Sequence, residues 1–396
     1  MEKILLGSIA DIQTGPFGSQ LHKEDYVQDG TPIVTVEHLG NRVFTEQNLP
    51  MVSDADKERL NKYVLSEGDI VFSRVGSVDR CSYVDSNHSG WMFSGRCLRV
   101  RPYNAIYPLY LYYFFCMEST KQFVRNIAVG ATMPSINTKL MGEIEVSVPS
   151  IDTQKRIAAI LSAIDDKIEL NTAINENLEQ QAQAILKEFM NKYNYTLAPL
   201  AEIAEVIDCL HSKKPERVID SNRQLLQLEN IKDNGFLDLS YQFMISESDY
   251  NNWTRKCEIH EGDCVITNVG RIGAVAQAPR DTYVAMGRNM TCIRLKSQYR
   301  IPAFLITVLL SEHMKREIRY NTDEGTIMGA LNVKNIPKLQ FPFFDEKVMS
   351  KLESLLYALR NQFEENSLQN QRLSTLRDTL LPKLMNGEID VSEVKL

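Results

Sequence analysis

The sequence repeats itself, and this internal repeat constrains the fold more than any other feature. Residues 67–76 read EGDIVFSRVG and residues 261–270 read EGDCVITNVG, so Glu-Gly-Asp, a central Val and a closing Val-Gly recur. Two more pairs of segments match in the same order: 6–12 with 197–203, and 130–137 with 325–332. The chain is therefore a diverged duplication, and both halves are expected to fold on one plan.

Each copy ends in a long segment whose apolar residues alternate at four- and three-residue spacing, which predicts a helix with one coiled-coil seam. Pro382 and Gly387 close the second segment. Both seams carry amide side chains in the middle, where buried amides fix register through mutual hydrogen bonds at a cost in stability. The predicted seam consists of Leu161, Ile164, Ile168, Asn171, Asn175, Leu178, Leu352, Leu355, Leu359, Asn366, Leu373 and Leu376.

The two long helices are predicted to pair as an antiparallel coiled coil, because their seams match under a single shift. A helix of about 40 residues is roughly 60 Å long, which exceeds what one globular domain usually needs. Such a pair would hold two similar domains at opposite ends, with pseudo-twofold internal symmetry. The alternative is that each helix packs only on its own domain.

The rest of each copy reads as an α+β domain. Short β-rich runs, separated by Gly, Asn and Asp turns, come before a helix rich in apolar residues. We therefore predict four segments: a first domain at 1–150, a spacer helix at 151–193, a second domain at 194–343, and a second spacer helix with a C-terminal tail at 344–396.

The composition predicts a cytoplasmic protein without a membrane segment. The N-terminus has no long apolar run or cleavage site, and the longest apolar stretches are too short or too polar to span a bilayer. The seven cysteines show no C-x-x-C spacing, and their odd number suits a reducing compartment. The six histidines are scattered, so the sequence predicts no metal site.

No enzymatic motif stands out. The sequence has neither G-x-x-x-x-G-K-[ST] nor a G-x-G-x-x-G turn, and it lacks the Asn/Asp-Pro-Pro-aromatic motif of an amino methyltransferase. We therefore predict no catalytic residue and no bound cofactor. The net charge of −7 neither proposes nor excludes a nucleic-acid partner, since a local basic face can hide in the total.

Four stretches carry a family likeness: GPFGS at 15–19, the Glu-Gly-Asp strand followed by Val-Gly, PSIDTQKRI at 149–157 and LRDTLLPKLMNGEI at 376–389. On these residues the chain resembles, over nearly its whole length, the specificity (S) subunits of type I DNA restriction–modification systems. The last stretch is the most specific. Two departures affect the second copy, where the helix entry at 341–347 lacks the usual Gln and Gly329 stands in place of Pro134.

This resemblance implies a function and partners. Each domain would read one half of a bipartite, asymmetric target in double-stranded DNA, and the helix pair would set the gap and dock two modification subunits. Those methyltransferase subunits would use S-adenosylmethionine on adenine, and separate restriction subunits would use ATP and Mg²⁺ to cleave. The chain itself would be a non-catalytic subunit.

Base edges in the major groove are read by Arg, Lys, Asn and Gln, with Arg suited to guanine and Asn or Gln to adenine. The predicted DNA-binding residues lie beyond the Gly15 loop and the Glu-Gly-Asp strand, and at matching places in the second copy. They are Ser19, Gln20, His22, Lys23, Arg74 and Arg80, and then His211, Lys213, Lys214, Asn268 and Arg271. Arg74 and Asn268 form the sharpest pair, because they occupy matching positions but differ in type. Phe17 is expected in the core, and Arg96 along a polar face.

Three alternatives stay open at this point. A fused nuclease or methyltransferase would give product from the isolated chain with DNA, methyl donor and Mg²⁺. A coiled-coil scaffold that binds only protein would show no sequence-selective DNA binding. The third alternative is a specificity-like subunit of another phage-defence methylation system, and the identity of the neighbouring genes would distinguish it from a type I subunit.

Overall fold

A computed structural model describes residues 2–323 and 329–394, and the chain divides into two compact units. Unit 1 comprises residues 1–167 and 373–396, and unit 2 comprises residues 168–372. Part of the second copy of the 130–137 segment, residues 325–328, lies outside the described residues. None of the helices in the described ranges combines the length and the apolar character needed to cross a bilayer.

Unit 1 contains ten strands and the first five helices, and α6 begins within it. The strands are β1 (Glu2–Leu5), β2 (Ala10–Thr14), β3 (Tyr26–Val27), β4 (Thr31–Val34), β5 (Met51–Val52), β6 (Ile70–Ser73), β7 (Cys81–Tyr83), β8 (Met92–Phe93), β9 (Cys97–Pro102) and β10 (Glu145–Val148). The helices are α1 (Leu6–Ile9), α2 (Asp54–Arg59), α3 (Pro108–Cys116), α4 (Glu118–Ile127), α5 (Thr138–Gly142) and α6 (Ile151–Lys192).

The main sheet of unit 1 is antiparallel, with strand order β2-β9-β6-β7. Helix α3 lies against it and is apolar on nearly every side, so it is buried from Tyr110 to Phe115. The Phe72 ring of β6 meets Phe115 edge to face, with centroids 4.7 Å apart. Smaller sheets β1-β10 and β3-β5-β4-β8 complete the unit.

The described residues of unit 2 form twelve strands and helices α7 to α9, and α10 begins among them. The strands are β11 (Thr196–Pro199), β12 (Ala204–Asp208), β13 (Arg223–Gln224), β14 (Met244–Ile245), β15 (Glu258–His260), β16 (Cys264–Thr267), β17 (Val275–Gln277), β18 (Tyr283–Ala285), β19 (Met290–Leu295), β20 (Thr322–Asp323), β21 (Ala330–Leu331) and β22 (Gln340–Phe343). The helices are α7 (Glu247–Trp253), α8 (Pro302–Leu310), α9 (Glu312–Tyr320) and α10 (Glu346–Met385).

The main sheet of unit 2 repeats that of unit 1. Its order is β12-β19-β16-β17, again antiparallel, and the buried apolar helix α8 takes the place of α3. Phe304 of α8 contacts Phe341, with ring centroids 5.1 Å apart. The predicted α+β class with an internal repeat is confirmed.

The repeated Glu-Gly-Asp turn anchors an arginine in each unit. The Asp69 carboxylate, 1% exposed at its side chain, receives Nε and Nη2 of Arg101, both at 2.7 Å. Asp263 receives the same two atoms of Arg294, at 2.9 and 2.5 Å. A two-pronged Arg–carboxylate contact fixes geometry as well as charge. The motif therefore recurs because it ties the strand β6 or β16 to its neighbour.

The glycine of the motif is required by the backbone. Gly68 has φ +90° and Gly262 has φ +80°, a region that side-chain-bearing residues rarely adopt. The turn lets the following aspartate also accept a backbone N–H, from Ser66 in unit 1 and from His260 in unit 2. These contacts make the motif part of the scaffold of each unit.

Helices α6 and α10 pair antiparallel within each unit. In unit 1, Arg377 Nη1 donates to Asp165 Oδ1 at 2.9 Å, and Arg156 donates to the Val391 carbonyl at 3.2 Å. In unit 2, Asn366 Nδ2 donates to Asn175 Oδ1 at 2.9 Å. Partner numbers fall along α10 as they rise along α6, so the predicted antiparallel helix pair is confirmed.

The centre of the helix pair is held by amides. Asn175 also donates to Ser367 Oγ at 3.0 Å and to the Phe363 carbonyl at 3.1 Å. Asn171, fully buried, donates to Gln369 and Asn370, each at 2.8 Å. These contacts form only in one register, because a one-turn slip would leave the buried amides unpaired.

The predicted seam needs correction at two positions. Leu355 is 42% exposed and Leu376 is 47% exposed, whereas their neighbours Leu356 and Arg377 face inward. An α-helix drifts about 20° per heptad against a strict 3.5-residue repeat, and Leu356 is drawn into the core of unit 2. Of the other predicted residues, Leu161, Asn171, Asn175, Leu352 and Asn366 are buried, and Ile164, Ile168, Leu178, Leu359 and Leu373 are half-buried.

Candidate nucleic-acid interface

Three backbone segments meet at one end of each main sheet. In unit 1, β2 and β6 finish and β9 begins at this end, as the pairings Thr14↔Leu98 and Ser73↔Cys97 show. In unit 2 the corresponding pairings are Asp208↔Thr291 and Thr267↔Met290. We call this the loop end of each unit. Several of the residues predicted to bind DNA follow β2, β6 or their counterparts, so topology brings these to the loop end.

The glycines of GPFGS in unit 1 allow close backbone contact. A Cβ on Gly15 would collide with the Ser94 carbonyl, and a Cβ on Gly95 would collide with the Pro16 carbonyl. The loop after β2 is thus packed against the turn before β9, and only residues without side chains fit there. This close packing explains the motif as a way to hold the loop in place.

Phe17 and Arg74 project from this packed loop end. Phe17 is 54% exposed, so its predicted place in the core is wrong. Its ring instead lines an open groove and lies under the Arg74 guanidinium. Arg74 lies over the Phe17 ring at 5.6 Å and donates Nη1 to the Gly95 carbonyl at 3.1 Å. Arg74 is therefore held at the surface with donor groups in reserve.

An open groove of about 720 Å³ runs beside the same loop. Arg96 and Glu37, both exposed, lie on its walls with Asn48 and Tyr26. No residue in the described ranges forms a hydrogen bond or ion pair with the Arg96 side chain. Burial and the adjacent Asp25 carboxylate raise the pKa of Tyr26, so its phenol stays protonated and can donate. The groove offers cationic, anionic and hydroxyl groups, which are the types that contact DNA phosphates and bases.

The other residues of unit 1 that were predicted to bind DNA differ in whether their side chains are exposed or hydrogen-bonded within the unit. Ser19 is exposed in the turn after Phe17. Gln20 is engaged, because its Oε1 accepts from the Tyr63 hydroxyl at 2.7 Å. Arg80 donates to the Leu39 carbonyl and packs on the neighbouring glycine.

Two more predicted residues of unit 1 lie at a short 3₁₀ turn. His22 is exposed, and its backbone N–H donates to Asp25 Oδ2 at 2.6 Å. Lys23 begins that turn, and its side chain lies outside the described residues.

Asn268 of unit 2 does not lie where the sequence predicted. It is 7% exposed, its Nδ2 donates to the Leu331 carbonyl at 3.2 Å and its Oδ1 accepts from Thr291 Oγ1 at 2.9 Å. The side chain turns inward because neighbouring strands supply both a donor and an acceptor. As a correction, Asn268 is a structural amide and not a base-reading residue.

The backbone nevertheless confirms that Arg74 and Asn268 are equivalent. Arg74 N donates to the Arg96 carbonyl at 2.8 Å, and Asn268 N donates to the Asn289 carbonyl at 2.8 Å. Their own carbonyls accept from Ile136 and Leu331 in the same way. The two units thus share the same backbone hydrogen bonds at this position but carry different side chains there.

The basic residues at the loop end of unit 2 are mostly exposed. Lys214 lies over the Phe243 ring at 4.2 Å, and Lys213 has no hydrogen-bond partner among residues 2–323 and 329–394. Arg271 is tied down, since it donates to the Ile231 carbonyl at 2.7 Å and pairs with Asp233.

Sequence reasoning missed Arg288, and assigned Arg96 only to a polar face. Each is an exposed arginine in the turn that precedes β19 or β9. Both arginines precede the strand that pairs with the Glu-Gly-Asp strand, β9 in unit 1 and β19 in unit 2. This shared position can be recognised only once the strand order is known.

Comparisons with known proteins give one consistent family. A family model described as "Type I restriction modification DNA specificity domain" matches residues 1–180. The chain is 21% identical to the HindI type I restriction enzyme specificity subunit of Haemophilus influenzae, covering 83% of this chain and 88% of that protein. It is 26% identical to the MjaIX specificity subunit of Methanocaldococcus jannaschii, covering 74% and 72%.

A solved structure shares the fold. The S subunit of a type I restriction–modification system from M. genitalium superposes with a TM-score of 0.60 at 16% identity, covering 97% of this chain and 95% of that one. Residues 1–180 therefore match the type I restriction modification DNA specificity domain, and the resemblance of the whole chain to the specificity subunits of type I systems is confirmed.

Proposed function

We propose that this chain is the DNA-recognition subunit of a type I restriction–modification complex, and that each unit reads one half of a bipartite, asymmetric target. The observation that carries this proposal is the contrast at the loop ends. Matching backbone positions carry Phe17, Arg74 and Arg96 in unit 1, but His211, Asn268 and Asn289 in unit 2. One scaffold that carries different side chains at matching positions of its loop end suits two different half-sites.

In unit 1, Arg74 and Arg96 supply the cationic contacts. An arginine can reach guanine with two donors, or a phosphate, and Glu37 in the same groove can accept from cytosine. In unit 2, Lys213, Lys214 and Arg288 serve the same purpose. The modest number of free cations and the net charge of −7 fit a subunit whose partners share phosphate binding.

The helix pair is proposed to set the gap between the half-sites and to dock two modification subunits. Exposed apolar side chains on α6 and α10 support docking of protein partners: Leu170, Ile174, Leu355, Tyr357 and Leu376. In this proposal the chain is not an enzyme and works in the cytoplasm. S-adenosylmethionine, ATP and Mg²⁺ act in the modification and restriction subunits.

The test is methylation sequencing of cells with and without this chain, in the presence of the modification subunits encoded with it. The proposal expects a bipartite adenine-methylation motif that disappears when the chain is absent. Persistence of every methylation motif without the chain contradicts the proposal, as does a motif that is not split into two parts.

A matched pair of variants separates DNA contact from general damage. Arg96→Ala is expected to reduce methylation of the bipartite motif, because it removes an exposed cation from the groove of unit 1. Lys3→Ala removes an exposed cation that pairs only with Glu145 on the neighbouring strand, and is expected to leave methylation unchanged. Equal losses in both variants would argue against a DNA contact at Arg96.

A further inference from the structure

Three metal-ligating side chains come together at the loop end of unit 2. An Asp208 oxygen, the Cys209 sulfur and a His211 ring nitrogen all lie within 4.8 Å of one another. They sit where β12 ends, and His211 Nε2 lies 2.8 Å from Asp208 Oδ2. Carboxylate oxygen, thiolate and imidazole are the ligand types that proteins use for zinc.

A second observation points to a ligand at this place. Asp208 Oδ1 is a buried oxygen without a hydrogen-bond donor among the residues that the structure describes. Buried carboxylate oxygens are normally satisfied, since an unpaired one costs free energy. A cation bound between Asp208, Cys209 and His211 would supply the missing partner.

Unit 1 has no such cluster at the matching place, and its loop is held differently. Thr14, Gly15 and Phe17 occupy the positions of Asp208, Cys209 and His211. In unit 1 the loop is fixed by Gly15 packing on the turn before β9 and by Arg74 over Phe17. Unit 2 has lost both devices, because Cys209 carries a side chain and Asn268 faces inward.

We propose that Asp208, Cys209 and His211 bind a divalent transition metal ion of the zinc class. Ligand atoms around four-coordinate zinc lie about 3.5 Å apart, so the wider separations in the cluster must close by up to about 1 Å, and the 2.8 Å between His211 Nε2 and Asp208 Oδ2 must open. His211 can make this movement because its side chain is 71% exposed. Zinc binds the Cys209 thiolate, the thiol proton passes to solvent, and water takes the fourth position.

The ion would do in unit 2 what glycine packing does in unit 1. It would fix the segment from Asp208 to His211, and with it the exposed Lys213 that follows. Metal binding itself follows from the three ligands and does not depend on the proposed DNA-reading function.

The experiment is a titration of the metal-free, full-length chain with Zn²⁺, measured by calorimetry. A parallel titration uses Co²⁺, read by thiolate-to-cobalt charge-transfer absorption. We expect one ion per chain, at least tenfold weaker binding in His211→Ala, and loss of the charge-transfer band in Cys209→Ser. His260→Ala is the matched control, since His260 also pairs with a carboxylate, Glu258, but is not part of a metal-ligating cluster.

If substitution of the buried Cys209 prevents folding, the His211→Ala variant still tests the proposal. His211→Ala alters an exposed ring, and its circular dichroism spectrum is expected to match that of the unmodified chain. The proposal is overturned if the unmodified chain binds no Zn²⁺, or if His211→Ala binds as tightly as His260→Ala.

Discussion

The two units share the contacts that hold their main sheets together, but they differ in the side chains at the loop end. Both keep an antiparallel four-stranded sheet, a buried apolar helix and an arginine fork on the aspartate of Glu-Gly-Asp. At the loop end, by contrast, Phe17 is exposed and Arg74 half-buried in unit 1, while Asn268 is buried in unit 2. Duplication preserved the interior contacts because a change there unfolds the unit, whereas surface groups at the loop end were free to diverge.

A second contrast lies where the long helices support the buried helices. Gln154 of α6 accepts from the Tyr107 N–H at 2.7 Å, next to the start of α3. In unit 2 the same task falls to Glu353 of α10, which accepts from the Ala303 and Phe304 N–H groups at 3.1 and 2.7 Å. Burial raises the pKa of Glu353 to about 7. The group that accepts from the backbone N–H groups at the start of the buried helix is therefore titratable in unit 2, whereas in unit 1 it is the amide of Gln154.

The largest effect is expected from breaking the shared arginine fork. Asp69→Ala should destabilise unit 1, and Asp263→Ala unit 2, each by about 3 kcal/mol, because each leaves a guanidinium without its carboxylate partner and with only backbone carbonyl or hydroxyl acceptors nearby. Amide hydrogen exchange of peptides from β6 and β16 measures the two units separately. If Asp69→Ala accelerated exchange while Asp263→Ala did not, the two forks would not be equivalent.

A pH-dependent effect is expected in unit 2. Since the folded pKa of Glu353 lies above its ordinary value of 4.5, the folded state holds the proton more tightly than the unfolded state. The contribution of this group is present below pH 4.5 and is lost as pH rises to about 7, over which the free energy of unfolding falls by about 2–3 kcal/mol.

Glu353→Gln should remove this dependence. The measurement is the difference in hydrogen-exchange stability of α8 between the unmodified chain and Glu353→Gln, from pH 5 to pH 8. The matched change in unit 1, Gln154→Ala, should cost about 1 kcal/mol at every pH. A difference between the unmodified chain and Glu353→Gln that stays constant across this pH range would contradict the buried-acid account.

Matching positions should respond differently to the same substitution. Asn268→Ala is expected to destabilise unit 2 by about 1–2 kcal/mol, because Leu331 and Thr291 lose their partner. Arg74→Ala should cost less than about 1 kcal/mol in stability, but relax base preference at one position of the target. Hydrogen exchange and methylation sequencing, run on both variants, check the two halves of this prediction.

The smallest effect is expected at Arg271. Its ion pair with Asp233 is exposed, and such pairs contribute about 0–1 kcal/mol. Arg271→Ala should therefore leave the exchange of β16 within about 0.5 kcal/mol of the unmodified chain. A loss as large as that of Asp263→Ala would mean that this surface pair belongs to the scaffold.

Much of the fold could be predicted from the sequence because repetition and periodicity are local signals. The two copies of Glu-Gly-Asp and the four-three spacing of the long segments predicted a duplicated α+β protein with an antiparallel helix pair. The exact seam was harder, since an α-helix drifts against a seven-residue repeat, and so Leu355 and Leu376 were misplaced.

The candidate site was less predictable, because side-chain direction depends on strand order. Asn268 and Arg74 match in sequence, yet only the presence of Leu331 and Thr291 turns the amide inward. Phe17 looked like a core residue because it is aromatic, yet the structure places its ring beside an open groove and under Arg74. The predicted boundaries of the four segments, and the DNA-contact role of Lys213 and Lys214, stay predictions.

Methylation sequencing with one double variant in each unit shows whether each unit reads its own half-site. Arg74→Ala with Arg96→Ala alters unit 1, and Lys213→Ala with Lys214→Ala alters unit 2. The account predicts that each double variant relaxes or weakens only one half of the bipartite motif, a different half for each, and leaves the gap unchanged. Loss of preference in both halves from either variant alone, or a change in the gap, would contradict the assignment of one half-site to each unit.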